Sequence, residues 1–268
     1  MTFRKIYFNG FLLTTEAWNV ESLPSSVPER RGDNIVIPYK NGARHVRNKP
    51  FGQRRPVLNM WVAPTDAYGV LIEGRTEREQ LEINLEYLKS IFAVAGQVPL
   101  RVQMLDGSYR TAQVEVVSEI SFIKEQPTIS AKMSVEVLMA DPLYYGETLV
   151  TETIELTSGS VSIALSNSGT ASVEKGNIRI TGPASNLKIN NTTNGISCTF
   201  TGDIEVNEEV LIDLDAHEVT LDEENVLGYL IHAGDPHWFV LNAGGNNIEL
   251  TCDTFGGSME FNYYPAYV

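Results

Sequence analysis

Met139-Ala-Asp-Pro-Leu-Tyr-Tyr-Gly-Glu-Thr148 is the stretch on which the reading of the chain turns. It closes the clearest strand pattern in the sequence. Over 128–139, Ile129, Ala131, Met133, Val135, Val137 and Met139 alternate with Ser130, Lys132, Ser134 and Glu136. A period of two buries one face of a strand and wets the other. Asp141-Pro142 ends that strand, because proline supplies no N–H to a ladder and restricts the residue before it. Beyond Gly146 the composition changes abruptly. The stretch therefore predicts a seam between two β-rich domains, 1–142 and 143–268.

The charge changes at the same place. Residues 1–149 hold 17 Lys and Arg against 17 Asp and Glu, whereas 150–268 hold three basic residues against 17 acidic ones, the whole of the net −14. So acidic a half repels phosphate backbones, which argues against direct nucleic-acid binding. The 268 residues, 43% hydrophobic and 20% charged, suit two soluble domains each with its own core. No apolar run approaches the roughly 20 residues that span a bilayer, and the N-terminus opens as a strand pattern without a signal-peptide core, so no membrane anchor and a cytoplasmic origin are expected. Cys198 and Cys252 are too few for a disulfide framework and lack metal-ligand spacing; both are expected to be buried free thiols.

The first domain reads as strands around one helix. Alternation in residues 3–8 stops at the turn dipeptide Asn9-Gly10, and 57–63 (Val-Leu-Asn-Met-Trp-Val-Ala) forms a further strand. The spacing predicts a helix over 76–95: Thr76 and Glu79 make a capping box, and Leu81, Leu85, Leu88 and Phe92 form an apolar stripe that Tyr87 and Ile91 widen. Gly96 and Pro99 stop it. Asp106-Gly107 predicts a hairpin between 100–105 and 109–122. Between 24 and 56 the chain is turn-rich and basic, with Arg30, Arg31, Lys40, Arg44, Arg47, Lys49, Arg54 and Arg55 against only Glu29 and Asp33. Aromatic interleaving is sparse there, so a β-arm over 29–55 that docks on a neighbouring subunit's carboxylates is favoured over a nucleic-acid patch. This domain is α+β and mostly antiparallel.

Beyond Gly146, short strand patterns are expected at 161–165, 172–181, 187–189, 196–200, 209–213, 218–221, 238–241, 247–251 and 258–263. They are separated by turns such as Ser168-Gly169, Asn194-Gly195, Thr201-Gly202-Asp203 and Gly244-Gly245-Asn246. With no helical period, this is an antiparallel β-sandwich. Chemistry is hard to find in it. His232-Ala-Gly-Asp-Pro-His237 reads as a turn with incidental imidazoles, and Asp213, Asp215, Asp222, Glu223 and Glu224 lack calcium-loop spacing. No nucleophile elbow, phosphate loop or dinucleotide fingerprint occurs. Trp238, with Tyr263, Tyr264 and Tyr267, is a weak candidate for sugar stacking. Carboxylates alone do not single out a hydrolase pair. The expectation is a protein without catalytic residues, cofactor or metal.

At Ala140-Asp-Pro-Leu-Tyr-Tyr145 the chain resembles the distal tail proteins of long-tailed, siphovirus-type bacteriophages. The likeness continues through Leu165-Ser-Asn-Ser-Gly-Thr-Ala171, Ile178-Arg-Ile-Thr-Gly182, Val210-Leu-Ile-Asp-Leu-Asp215 and Trp238-Phe-Val-Leu-Asn-Ala-Gly-Gly-Asn-Asn-Ile248. Asp222-Glu223-Glu224-Asn225 departs from it, replacing the usual glycine of a hairpin tip. The resemblance implies a ring-forming N-terminal α+β domain, an antiparallel sandwich or split barrel with one helix, and an outward galectin-like β-sandwich. It implies a hexamer at the tail tip that joins the tail tube protein to the tail-associated or baseplate hub protein and offers a dock for receptor-binding proteins. It brings no catalytic residue. Arg30, Arg31, Arg44, Arg47, Arg54 and Arg55 are then the candidate inter-subunit contacts. A carbohydrate-binding module of a host-adhesion device, built on Trp238, is the alternative.

Overall fold

The long alternating strand forms, over Ser130–Leu138, and it sits in the middle of its sheet. A computed structural model describes residues 4–22, 28–30, 35–36, 43–44, 51–125, 129–157, 159–234, 238–254 and 256–268. It divides into two units, Met1–Tyr144 with Val268, and Tyr145–Tyr267.

In the first unit the elements are β1 (Ile6–Phe8), β2 (Phe11–Leu12), β3 (Trp18–Ser22), β4 (Ile35–Val36), β5 (Ala43–Arg44), β6 (Val57–Val62), α1 (Glu77–Phe92), β7 (Val98–Gln103), β8 (Tyr109–Val116), β9 (Ser121–Glu125) and β10 (Ser130–Leu138). The main sheet runs β2-β1-β7-β8-β10-β6-β3, with β9 also on β10. All these pairings are antiparallel. Asn9 and Gly10 take positive φ (48° and 82°), which suits the tight turn joining β1 to β2. Ala131, Met133, Val135, Val137 and Met139 are all buried, with Leu58, Met60 and Val62 beside them on β6. Ile129 breaks the expected series, being 42% exposed just ahead of the strand.

Helix α1 covers this apolar face. Its capping box is formed: the Thr76 hydroxyl accepts from the Glu79 N–H, and the Glu79 carboxylate accepts from the Thr76 N–H at 2.9 Å. Leu81, Leu85, Leu88, Ile91 and Phe92 are buried in the core, and the Phe92 ring lies 4.7 Å from that of Phe8. The helix ends at Phe92 with Ala93 as its cap, before the expected Gly96. Tyr87 does not join the buried stripe. It stays 44% exposed and sits beside the Trp18 and Phe11 rings. Gln80 and Asn84 complete the buried face, and their amides hold the chain leaving β6: Asn84 donates to the carbonyls of Ala63 and Thr65, both at 2.8 Å. The expected 109–122 arm is two strands, because β8 stops at Val116 and β9 starts again at Ser121.

The second unit holds β11 (Tyr144–Gly146, beginning at the seam), β12 (Val150–Glu155), β13 (Ser160–Asn167), β14 (Gly176–Thr181), β15 (Ala184–Asn191), β16 (Ile196–Ile204), β17 (Glu209–Asp213), β18 (Glu218–Leu221), β19 (Glu224–Asn225), β20 (Leu230–Ala233), β21 (Gly244–Thr251), β22 (Ser258–Tyr263) and β23 (Ala266–Tyr267). Two antiparallel sheets, β12-β22-β14-β17-β18-β19 and β13-β21-β15-β16-β20, make the sandwich. Their apolar residues, among them Ile178, Ile212 and Phe261 from one sheet and Ile189, Phe200 and Ile248 from the other, are buried. The fold is thus mostly β with a single described helix, as the sequence indicates.

Two turns expected from composition are something else. Thr201-Gly202-Asp203 lies inside β16; Gly202 is there because a Cβ would fall 2.8 Å from the Phe200 ring. Gly244-Gly245 opens β21. In His232-Ala-Gly-Asp-Pro-His237, His232 and Ala233 end β20, a strand the sequence pattern did not indicate, and Asp235, Pro236 and His237 lie outside the described residues. Conversely, 238–241 is no strand: Phe239 and Val240 are buried in a coil segment, and only Leu241 bridges, to Val173. The glycine-free tip of the β18–β19 hairpin keeps its register, Leu221 opposite Glu224, with Asp222 and Glu223 at φ 46° and 72°.

Candidate functional site

The basic stretch shows the pairings of an antiparallel hairpin. Arg30 bridges Phe51, and inside that pair Ile35 lies opposite Arg44 and Val36 opposite Ala43. The Arg30 guanidinium stands 4.0 Å from the centre of the Phe51 ring, and the Gly52 N–H donates to the Glu29 carbonyl at 2.6 Å. Arg31 and Arg47 lie outside the described residues, and Arg44 is placed by its backbone. Arg55 is exposed, with its guanidinium 3.5 Å from the Glu136 carboxylate. Arg54 is different: 8% exposed, it exchanges both backbone hydrogen bonds with Met139 (3.0 and 2.8 Å) and donates to the Pro142 carbonyl at 3.3 Å. It therefore anchors the Met139–Pro142 end of its own unit instead of standing in an exposed arm. Burial raises the Tyr144 pKa, an effect that the nearby Arg54 cation partly offsets.

Trp238 is half-buried and flanked by imidazoles. The His217 ring stacks on it at 4.5 Å and 9°, and His232 lies at 4.5 Å and 46°. His217 thus covers one face that a sugar would need. Tyr263 is buried and its hydroxyl donates to the Ser166 carbonyl at 3.1 Å, while Tyr264 is exposed. Burial, and the Glu152 charge, raise the Tyr263 pKa.

The acidic residues work as turn formers. The Asp213 carboxylate accepts from the N–H groups of Asp215 and Ala216 at 2.9 and 2.8 Å, and Asp222 accepts from the Glu209 N–H at 3.1 Å. A shallow groove is lined by Glu209, Leu211, Thr220, Asp222 and Glu223. Among the described residues, no group of three or more His, Cys, Asp or Glu is placed to hold a metal ion. Cys198 and Cys252 are buried and form no disulfide; burial pushes the Cys198 thiol up to about 12, and burial with the Asp253 charge raises Cys252. Neither thiol is poised as a nucleophile.

What the second unit does concentrate is buried asparagine. Asn246 donates to the Asn242 and Gly244 carbonyls (2.9 and 3.1 Å) and accepts from the Asn242 N–H at 2.8 Å and the Asn191 side chain at 3.0 Å. Asn191 also donates to the Val240 carbonyl at 3.0 Å. Asn167 donates to the carbonyls of Ala171 and Asn242 (2.9 and 3.2 Å) and accepts from the Gly169 N–H at 2.9 Å. A Cβ on Gly169 would meet the Ala266 carbonyl oxygen at 2.1 Å, which explains the glycine in Asn167-Ser-Gly-Thr-Ala171. These amides fix the coil that carries Phe239 and Val240 into the core. In the sequence, the one sign of this job is an asparagine beside each glycine turn.

A sandwich stapled by these turns has known counterparts. Residues 168–267 match the family model of the siphovirus-type tail component, C-terminal domain. No curated protein matches the chain. Over its full length the fold is similar to the crystal structure of the SPP1 Dit protein, described as a paradigm of hub adsorption apparatus in phages that infect Gram-positive bacteria, with a TM-score of 0.66 at 16% identity, covering 97% of this chain and 98% of that one. A structure of the phage P2 baseplate in its activated conformation with calcium also aligns, at a TM-score of 0.42 and 8% identity, covering 98% of each chain. No described helix is long and apolar enough to cross a membrane.

Proposed function

We propose that this chain is a non-enzymatic structural hub of a siphovirus tail tip. Six copies form a ring through their first units, joining the tail tube protein to the tail-associated or baseplate hub protein. The galectin-like second unit docks receptor-binding proteins. It is made in the host cytoplasm and ends in the virion. The observation that carries this reading is the conjunction of a tail-component match over 168–267 with a full-length fold shared with a phage hub protein. The functional division at 142/143 follows from the same reading, with the basic hairpin as a contact between subunits.

Light scattering after size exclusion should give a mass near six chains, and negative-stain images should show rings. A species that stays monomeric at high concentration, with no ring in tail micrographs, would sink the proposal. Reversing Arg30, Arg31 and Arg55 together to glutamate should weaken assembly while the fold is kept. Arg54 is excluded because it is buried in its own unit. One exposed ion pair contributes only about 0–1 kcal/mol, so the combined change is the fair test.

A further inference from the structure

The outer face of β1, β7 and β8 carries a cationic-aromatic patch drawn from residues about a hundred positions apart. Tyr7 lies opposite Arg101, which lies opposite Thr111, and Gln103 lies opposite Tyr109. Lys5 extends the row, its carbonyl accepting from the Gln103 N–H at 2.8 Å. The intervening residues Ile6, Phe8, Leu100 and Val102 face the core. The Arg101 guanidinium sits 3.8 Å from the Tyr109 ring centre and 5.5 Å from that of Tyr7, with the two rings 6.2 Å apart. Stacking holds a flat cation in one orientation. Arginine and tyrosine so held are the residue types that dominate protein interfaces. Along β8, the face bears no carboxylate until Glu115.

A complementary face exists on the same chain. In the β12-β22-β14-β17-β18 sheet, Glu155, Glu209, Asp213, Glu218 and Glu260 share the side opposite Ile178, Ile212 and Phe261, as the pairings of Thr181 with Glu209, Arg179 with Glu260, Asn177 with Asp213 and Asp213 with Glu218 require. Arg179 is the one basic residue on that side of these strands, paired with Glu209 at 3.0 Å.

We infer that the Lys5–Tyr7–Arg101–Tyr109 face docks a second copy of this chain through the carboxylates of its acidic sheet face. The inference rests on the oligomer proposed above and adds, to the contacts between first units, one from a first unit to the second unit of another copy. Nucleic acid fits less well, because Arg101 covers the tyrosine faces on which bases would stack and the chain is strongly acidic overall. Charge pairing of this kind weakens with salt.

Sedimentation velocity on the full-length chain tests it. Arg101→Glu should weaken self-association about tenfold, and Lys5→Glu, at an exposed position outside the stack, should weaken it in the same direction. Adding Glu260→Lys with Glu218→Lys to the Arg101→Glu chain should restore assembly. Variants that keep the wild-type circular dichroism and assemble as tightly as wild type would overturn the contact and leave the ring standing. A wild-type chain that is monomeric throughout overturns the ring and this contact with it. Binding of a labelled single-stranded oligonucleotide that Arg101→Glu abolishes would overturn the carboxylate partner in favour of nucleic acid.

Discussion

The two units close their cores by different physics. The first lays a sixteen-residue helix across a curled sheet and buries Leu81, Leu85, Leu88, Ile91 and Phe92 beneath it. The second has two sheets to face each other, and seals one margin with a coil whose backbone is held by the side-chain amides of Asn167, Asn191 and Asn246. One closure is non-directional and scales with apolar area, about 1.5–3 kcal/mol for each fully buried large side chain. The other depends on geometry and is costly when a partner is missing. The comparison teaches that similar burial can be reached by a device that tolerates volume-conserving change and by one that does not.

The largest test falls on the helix. Leu88→Ala empties a fully buried site and should cost about 2–5 kcal/mol, read from chemical denaturation. An effect of a few tenths would mean that the helix does not close this core. Next, Asn246→Ala strands the Asn191 amide and the Asn242 and Gly244 backbone groups, and should cost about 3 kcal/mol. If Asn246→Leu is tolerated, the amide hub is not what holds the coil. Thr76→Ala removes a described cap and should cost about 1 kcal/mol, all in the first unit.

The smallest effect is one of pH. The Glu79 carboxyl is held below its ordinary pKa by hydrogen bonds from the Thr76 backbone and hydroxyl, Glu82 by Lys124, and Asp106 by the Ser108 hydroxyl and N–H. A carboxyl that is more acidic folded than unfolded adds stability above the ordinary carboxylate range, about pH 4, and loses it as the pH falls through the depressed folded value. All three groups lie in the first unit, so its stability should decline below that range. Thr76→Ala should flatten the Glu79 share of the slope. An unchanged slope would show that the cap does not couple to this ionisation.

How much of this was legible in the sequence follows from the same contrast. Apolar periodicity reports burial directly, so β10 and the helix stripe could be recognised, a few residues too long, and the strands at 209–213, 218–221 and 258–263 could be read with their bounds. Composition at turns reports only local preference. Gly202 and Gly244 looked like turn residues because close packing against Phe200 and the opening of a strand leave no mark on neighbouring residues. The strands Trp18–Ser22, Val150–Glu155 and Leu230–Ala233 alternate too weakly to announce themselves, since edge positions need not be apolar on either side. Arg54 read as one of a basic series until its pairing with Met139 placed it inside. Nothing near Trp238 in sequence indicates that His217 stacks against its face.

The sulfur chemistry has a practical corollary. With the Cys198 thiol pushed up to about 12 and Cys252 shielded, maleimide reagents at neutral pH will find little to attack on the native chain. A cysteine introduced at an exposed position becomes the one addressable handle, so dyes, gold clusters or cross-linkers can be attached at a chosen point without first deleting either natural thiol.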